Sequence, residues 1–150
     1  MKPYEKLRKY WDSTGSRIPT ATRDESEIAA LEVRYGVRLP ADFREYLLLS
    51  CPPANGNMDE PGVLWWSLSE IKNIPDEYQH ELKNPPVAAE ARKYLFFADY
   101  LVWCWAWAID CGDDENRGRV AIIGGVNDRF VADSFGEFVD RLIADHKDVY

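Results

Sequence analysis

The densest set of chemically capable side chains lies in Asp110-Cys111-Gly112-Asp113-Asp114-Glu115-Asn116-Arg117-Gly118. Asp110, Asp113, Asp114 and Glu115 could draw a divalent cation, act as paired acids in a hydrolysis, or present negative charge to a basic protein. A calcium loop requires ligands at alternating positions and a distal glutamate. This spacing has neither. A hydrolase pairing Asp110 with Asp113 needs a histidine, a metal or a structured cleft beside it. The chain has two histidines, His80 and His146. Both lie in polar stretches with no cysteine or acid at ligand spacing, and both read as solvated surface residues. No catalytic residue, metal site or cofactor is therefore expected. What remains is a hairpin loop closed near Gly118 by residues of turn type. Its acids are either simply solvated or form a prong for a basic partner, where desolvated charge pairs give specificity and fast association.

Other catalytic signatures are absent. The sequence contains no H-E-x-x-H, G-x-S-x-G, P-loop or dinucleotide fingerprint. Ser134 in Asp-Ser-Phe-Gly-Glu has the S-x-x-E spacing of a helix cap with Glu137 and reads as that rather than as a nucleophile. Gly124-Gly125 opens a turn and precedes no helix, so it makes a poor phosphate cradle.

Tryptophan is the second unusual feature, with six in the chain. Trp65 and Trp66 are adjacent, so in a strand their rings point to opposite sides. If one side is solvated there, one ring becomes an exposed anchor of the kind common at interfaces. If both sides are covered, both rings are core. Trp103, Trp105 and Trp107 alternate within Leu101–Asp110. In a strand they share one side with Leu101 and Ile109, while Val102, Cys104, Ala106 and Ala108 share the other. Both sides are apolar, as in a central strand covered on both faces. A stacking platform for single-stranded nucleic acid would need neighbouring Lys and Arg. None lies between residues 94 and 116. The stripe reads as mainly structural.

These residues need elements to position them. Tyr4, Leu7 and Trp11 predict a first helix over 3–12. A second, capped by Thr22 with Glu25 or Asp24 with Glu27, carries Ile28, Leu31 and Tyr35 and stops at Gly36. Pro40 begins a third, with Phe43, Tyr46 and Leu47 inward, and Pro52-Pro53 lies beyond its end. Gly62–Leu68 then predicts a strand, followed by a short turn capped by Ser69. Residues 76–93 predict a loop with one short helix. Strands follow at 94–99, 101–110, 118–125 and 129–133, the first two joined by an Asp99–Tyr100 turn. A closing helix carries Phe135, Phe138, Val139, Leu142 and Ile143. Helices flanking a run of strands predict an α+β fold, a single domain over 1–150 with a mainly antiparallel sheet.

Composition narrows the partner. The net charge is −8, despite a basic start with Lys2, Lys6, Arg8 and Lys9 against Glu5. That field disfavours nucleic acid and anionic membrane and favours basic proteins. Cys51, Cys104 and Cys111 are odd in number and include no C-x-x-C pair, which suits a reducing compartment. No apolar leader opens the chain, and no apolar run is long enough to span a bilayer as a helix. A cytoplasmic location is expected.

The stretch Glu25–Gly56 resembles the opening of the SUKH superfamily, which includes bacterial immunity proteins and a yeast cell-wall-synthesis regulator. Glu25, Ile28, Leu31, Glu32, Gly36, Leu39, Pro40, Phe43, Leu47, Asn55 and Gly56 carry the likeness. The segments WSLSEI, YLFFAD, WAID and VADSFGEFVDRLI are similar to the family's strands and closing helix. The family usually has a glycine-rich turn before its central strand. Here Asp99-Tyr100-Leu101-Val102-Trp103 stands in that place. The resemblance implies a non-enzymatic binding domain, typically an immunity protein. Such a protein neutralises a polymorphic toxin, often a nuclease, by occlusion or mimicry at its active surface. The cognate toxin domain would be the partner. The family's motif residues read as structural and transfer no binding site. The contacts expected from the residues themselves are Asp110, Asp113, Asp114, Glu115, Trp65 and Trp66. A general interaction scaffold, like the regulator branch, is the rival reading.

Overall fold

The computed structural model describes every residue except His146, so the expectation for that histidine lies outside the described residues. The first three helices form where their stripes and punctuation place them: α1 (Pro3–Ser13), α2 (Glu25–Tyr35) and α3 (Ala41–Leu49). Of the two candidate caps for α2, Asp24 with Glu27 is used, the Asp24 N–H donating to Glu27 Oε2 at 3.1 Å. Gly36 ends the helix at φ 62°, a left-handed position that a Cβ disfavours. Pro40 precedes α3 as its cap residue rather than as its first helical residue.

The sheet comprises β1 (Asn57–Met58), β2 (Val63–Trp65), β3 (Tyr94–Tyr100), β4 (Trp105–Asp110), β5 (Val120–Ile123) and β6 (Arg129–Ala132). Its strands lie side by side in chain order, every pair antiparallel. This is the expected α+β class, with β4 in the interior of the sheet. Between β2 and β3 run a short 3₁₀ turn, α4 (Ile74–Glu77) and α5 (Pro85–Ala89). That turn is capped by Ser67 rather than Ser69, with Ser67 N–H donating to Glu70 Oε1 at 2.9 Å. The closing helix α6 (Phe135–Ile143) is capped by Ser134 Oγ, which accepts from the Glu137 N–H at 3.0 Å.

Both sheet faces are covered. On one, Trp65, Phe97 and Trp107 meet Trp11, Phe43 and Phe138 from α1, α3 and α6, with ring centroids 5.3 to 5.6 Å apart. Phe97 joins this face because the register shifts between Phe96 and Ala98, an extra residue that turns an aromatic ring toward the helices. On the other face, Phe96 packs with Trp66 and Trp103, and Trp103 stacks on Tyr78 just beyond α4. The small side chains Ala106 and Ala108 are fully buried.

The strand expected over 101–110 is broken at its start. Tyr100 remains in β3 and β4 starts only at Trp105, so the turn is Leu101–Cys104 and not Asp99–Tyr100. Leu101, Val102 and Trp103 have φ of 46°, 56° and 68°. Three successive left-handed residues break the strand alternation. Trp105 and Trp107 keep company with Tyr100 and Tyr150, whereas Trp103 crosses to the Phe96 side. The tryptophan stripe is split, and only Trp107 of the three is fully enclosed.

Candidate protein-interaction surface

The acidic stretch forms the β4–β5 loop and is tightly tied. Asp110 exchanges backbone bonds with Arg119 and Gly118 at 3.0 and 2.8 Å, and the Cys111 N–H reaches Lys93 O at 2.9 Å. Arg117 Nη1 donates to the carbonyls of Cys111 and Gly112 at 3.2 and 3.0 Å. Asp114 Oδ1 accepts from the Asn116 N–H at 2.8 Å. Arg119 lies over the Phe130 ring and pairs with Asp133 at 3.2 Å. Held this way, the loop gives its four acids different exposure. Asp113 and Glu115 are exposed, Asp114 is half-buried and Asp110 is buried.

The burial of Asp110 has a chemical consequence. Its Oδ1 accepts from the Gly112 N–H at 2.8 Å. Its Oδ2, Asp114 Oδ2 and the Tyr94 hydroxyl are enclosed together, with Asp114 and Tyr94 as the side-chain partners of the Asp110 carboxyl. The two carboxyl groups close on one glycine: a Cβ on Gly112 would lie 2.9 Å from Asp114 Oδ2 and 3.1 Å from Asp110 Oδ1. Desolvation, reinforced by Asp114, pushes the Asp110 carboxyl up to about 7. A proton held between the pair relieves their repulsion. Asp110 and Asp113 point into different environments and do not form a pair of working acids. Among the described residues, no group of three or more His, Cys, Asp or Glu could hold a metal ion.

Two sequence-predicted contacts move off the surface. Trp65 is fully buried and Trp66 is 5% exposed. Trp65 Nε1 donates to Asp59 Oδ2 at 3.0 Å, and Trp66 Nε1 to Asp99 Oδ2 at 2.7 Å. Each ring faces a covered side of the sheet, and each indole N–H has its own buried carboxylate. Neither presents an anchor to a partner, and the same holds for the buried Asp110. Of the six residues expected at an interface, Asp113, Asp114 and Glu115 remain accessible.

Sequence reasoning missed the surface at the other end of β4. There the left-handed turn leaves Leu101 47% and Val102 73% exposed. Asp99 Oδ1 accepts from the Trp103 N–H at 2.8 Å, and the Cys104 N–H reaches Tyr100 O at 2.8 Å. Trp103 stacks on Tyr78 with centroids 5.7 Å apart and donates through Nε1 to Glu77 Oε2 at 3.1 Å. Beside them is an open cavity of about 440 Å³ bounded by Glu77, Tyr78, Gln79, His80, Trp103 and Gly124. His80 is exposed, as expected, with its ring edge-on to Tyr78 at 5.2 Å. No glycine marks this turn, so the usual signal of a left-handed backbone was missing.

Among the described residues, no helix is long and apolar enough to cross a membrane. No curated protein matches the chain. The sequence pattern of the SMI1 / KNR4 family (SUKH-1) matches residues 23–141. That span runs from just before α2 to near the end of α6 and includes the whole sheet. Helix α1 lies outside it, yet its Leu7 and Trp11 enter the same core. With helices, sheet and match in agreement, this chain belongs to the SMI1 / KNR4 family (SUKH-1).

Proposed function

We propose that this chain is a cytoplasmic bacterial immunity protein that binds a basic toxin domain and neutralises it by covering its active surface. It transforms nothing. Family membership supports an immunity or regulatory role in general. The observation that carries the toxin-binding reading is the β4–β5 loop, where Asp113 and Glu115 are exposed on a hydrogen-bonded turn of a chain of net charge −8. A preorganised pair of carboxylates loses little entropy on binding. Its field raises the rate of encounter with a positively charged partner. Asp114 supports this edge from a half-buried position.

Co-expression of toxins encoded beside this gene, with and without the chain, tests the reading. Growth is restored with the cognate toxin. Failure of every neighbouring toxin to be bound or silenced contradicts the proposal. Recovery of host housekeeping proteins in its place would favour the scaffold role.

A further inference from the structure

The cavity beside the left-handed turn is a second feature that the acidic loop does not explain. Three consecutive non-glycine residues hold a left-handed conformation that side chains disfavour, and Val102 is β-branched, which makes its positive φ an outlier. What this geometry achieves is specific. It carries Trp103 across the sheet to stack on Tyr78, with Asp99 fastening its N–H. Gly124 lies against both rings, since a Cβ there would sit 3.4 Å from Trp103 and 3.5 Å from Tyr78.

Two acids lie near the rings, Glu77 in the cavity wall beside Gln79 and His80, and Asp128 bound to the Gly124 N–H. Glu77 lines the cavity and receives the Trp103 indole N–H on one oxygen, with Lys72 at 3.4 Å from the other. Asp128 is 4% exposed and accepts the N–H groups of Gly124 and Lys83 at 3.0 and 2.5 Å. No ion pair reaches Asp128 among the described residues, and its charge acts on Tyr78. Aromatic faces beside carboxylates attract a cation through the ring quadrupole and through ordinary charge attraction.

We infer that this cavity receives one cationic side chain, arginine or lysine, of a protein partner. The exposed Leu101 and Val102 offer apolar surface beside it for the residues flanking that cation. This rests on the reading that the chain binds a basic protein, and it adds a contact at the opposite end of β4 from Asp113 and Glu115. Six residues of strand separate the two ends, or roughly 20 Å at the strand rise. One interface of ordinary size covers that distance.

The test needs no toxin. The whole chain is titrated with N-acetyl-arginine amide and, as a neutral isostere, N-acetyl-citrulline amide, following the Gly124 amide and Trp103 indole resonances. The arginine probe shifts both resonances with an affinity near the millimolar range expected of a single side chain, roughly 4 kcal/mol of binding. Citrulline does not. Glu77→Gln keeps an acceptor for the indole but loses the charge, and weakens the arginine probe about 5- to 10-fold. Trp103→Leu, read at Gly124, abolishes binding, and Asp113→Asn/Glu115→Gln leaves it unchanged. Equal shifts from citrulline, no shift from arginine, or full affinity in Glu77→Gln overturns the assignment. Because toxin binding is scored separately, loss of the immunity reading and loss of this pocket are distinguishable.

Discussion

Asp110→Asn isolates the shared proton under the acidic loop. The amide has the shape of the protonated acid, so its oxygen can still accept from the Gly112 N–H, 2.8 Å away in the native loop. Its NH₂ can donate toward Asp114, and it does not titrate. In the native chain the folded carboxyl keeps its proton up to about pH 7, whereas the ordinary value is 3.8. Between those limits the folded state binds more protons than the unfolded state, so stability falls as pH rises. The contribution is whole below the unfolded value and gone above the folded one. At about 1.36 kcal/mol per unit, the interval from pH 5 to 7 caps the loss at about 2.7 kcal/mol. The loop borders solvent, with exposed Asp113 three residues away, and screening reduces this to about 1–2 kcal/mol. Urea unfolding of both proteins at pH 5, 6, 7 and 8 measures it. The stability of Asp110→Asn relative to the native chain rises by about 1–2 kcal/mol across that range. Parallel pH profiles would refute the shared proton.

Two further substitutions probe the turn and its anchor. Val102→Gly relieves one left-handed β-branched residue while losing little burial, since Val102 is 73% exposed. It raises stability by about 0.5–1 kcal/mol, seen as a melting temperature higher by roughly 1–4 °C. A fall would mean that the valine side chain supports the turn. Asp99→Ala leaves the indole N–H of Trp66 and the backbone N–H of Trp103 without their acceptor. It destabilises by about 2–4 kcal/mol in chemical denaturation, and a loss under 1 kcal/mol would show that other groups take over.

Periodic and punctuated features were readable from the sequence. The stripe of Leu7 and Trp11, the Asp24–Glu27 cap, Gly36 and the Ser134 cap each express local chemistry, and each holds in the fold. The interior position of β4 followed from apolar residues at both of its faces. What failed depended on side-chain partners that periodicity does not reveal. Trp65 and Trp66 looked like possible anchors because strand alternation does not reveal that nearby Asp59 and distant Asp99 satisfy their indoles inside the protein. Asp110 looked like its neighbours Asp113 and Glu115, but it closes β4 opposite Tyr94 and is buried there. The Leu101–Cys104 turn was invisible because its left-handed residues lack glycine. Its strain is sustained by Asp99, close by in sequence, and by the packing of Trp103 on Tyr78, which is not.

The acidic loop is best tested by association kinetics with the toxin domain encoded beside the gene. Native chain and Asp113→Asn/Glu115→Gln are compared between 0.1 and 1 M salt, where the screening length shrinks from about 10 to about 3 Å. The account predicts fast native association that slows steeply with salt. The variant should associate about 3- to 10-fold more slowly at low salt, with a shallower dependence. Identical rates and salt slopes for the two proteins would contradict it.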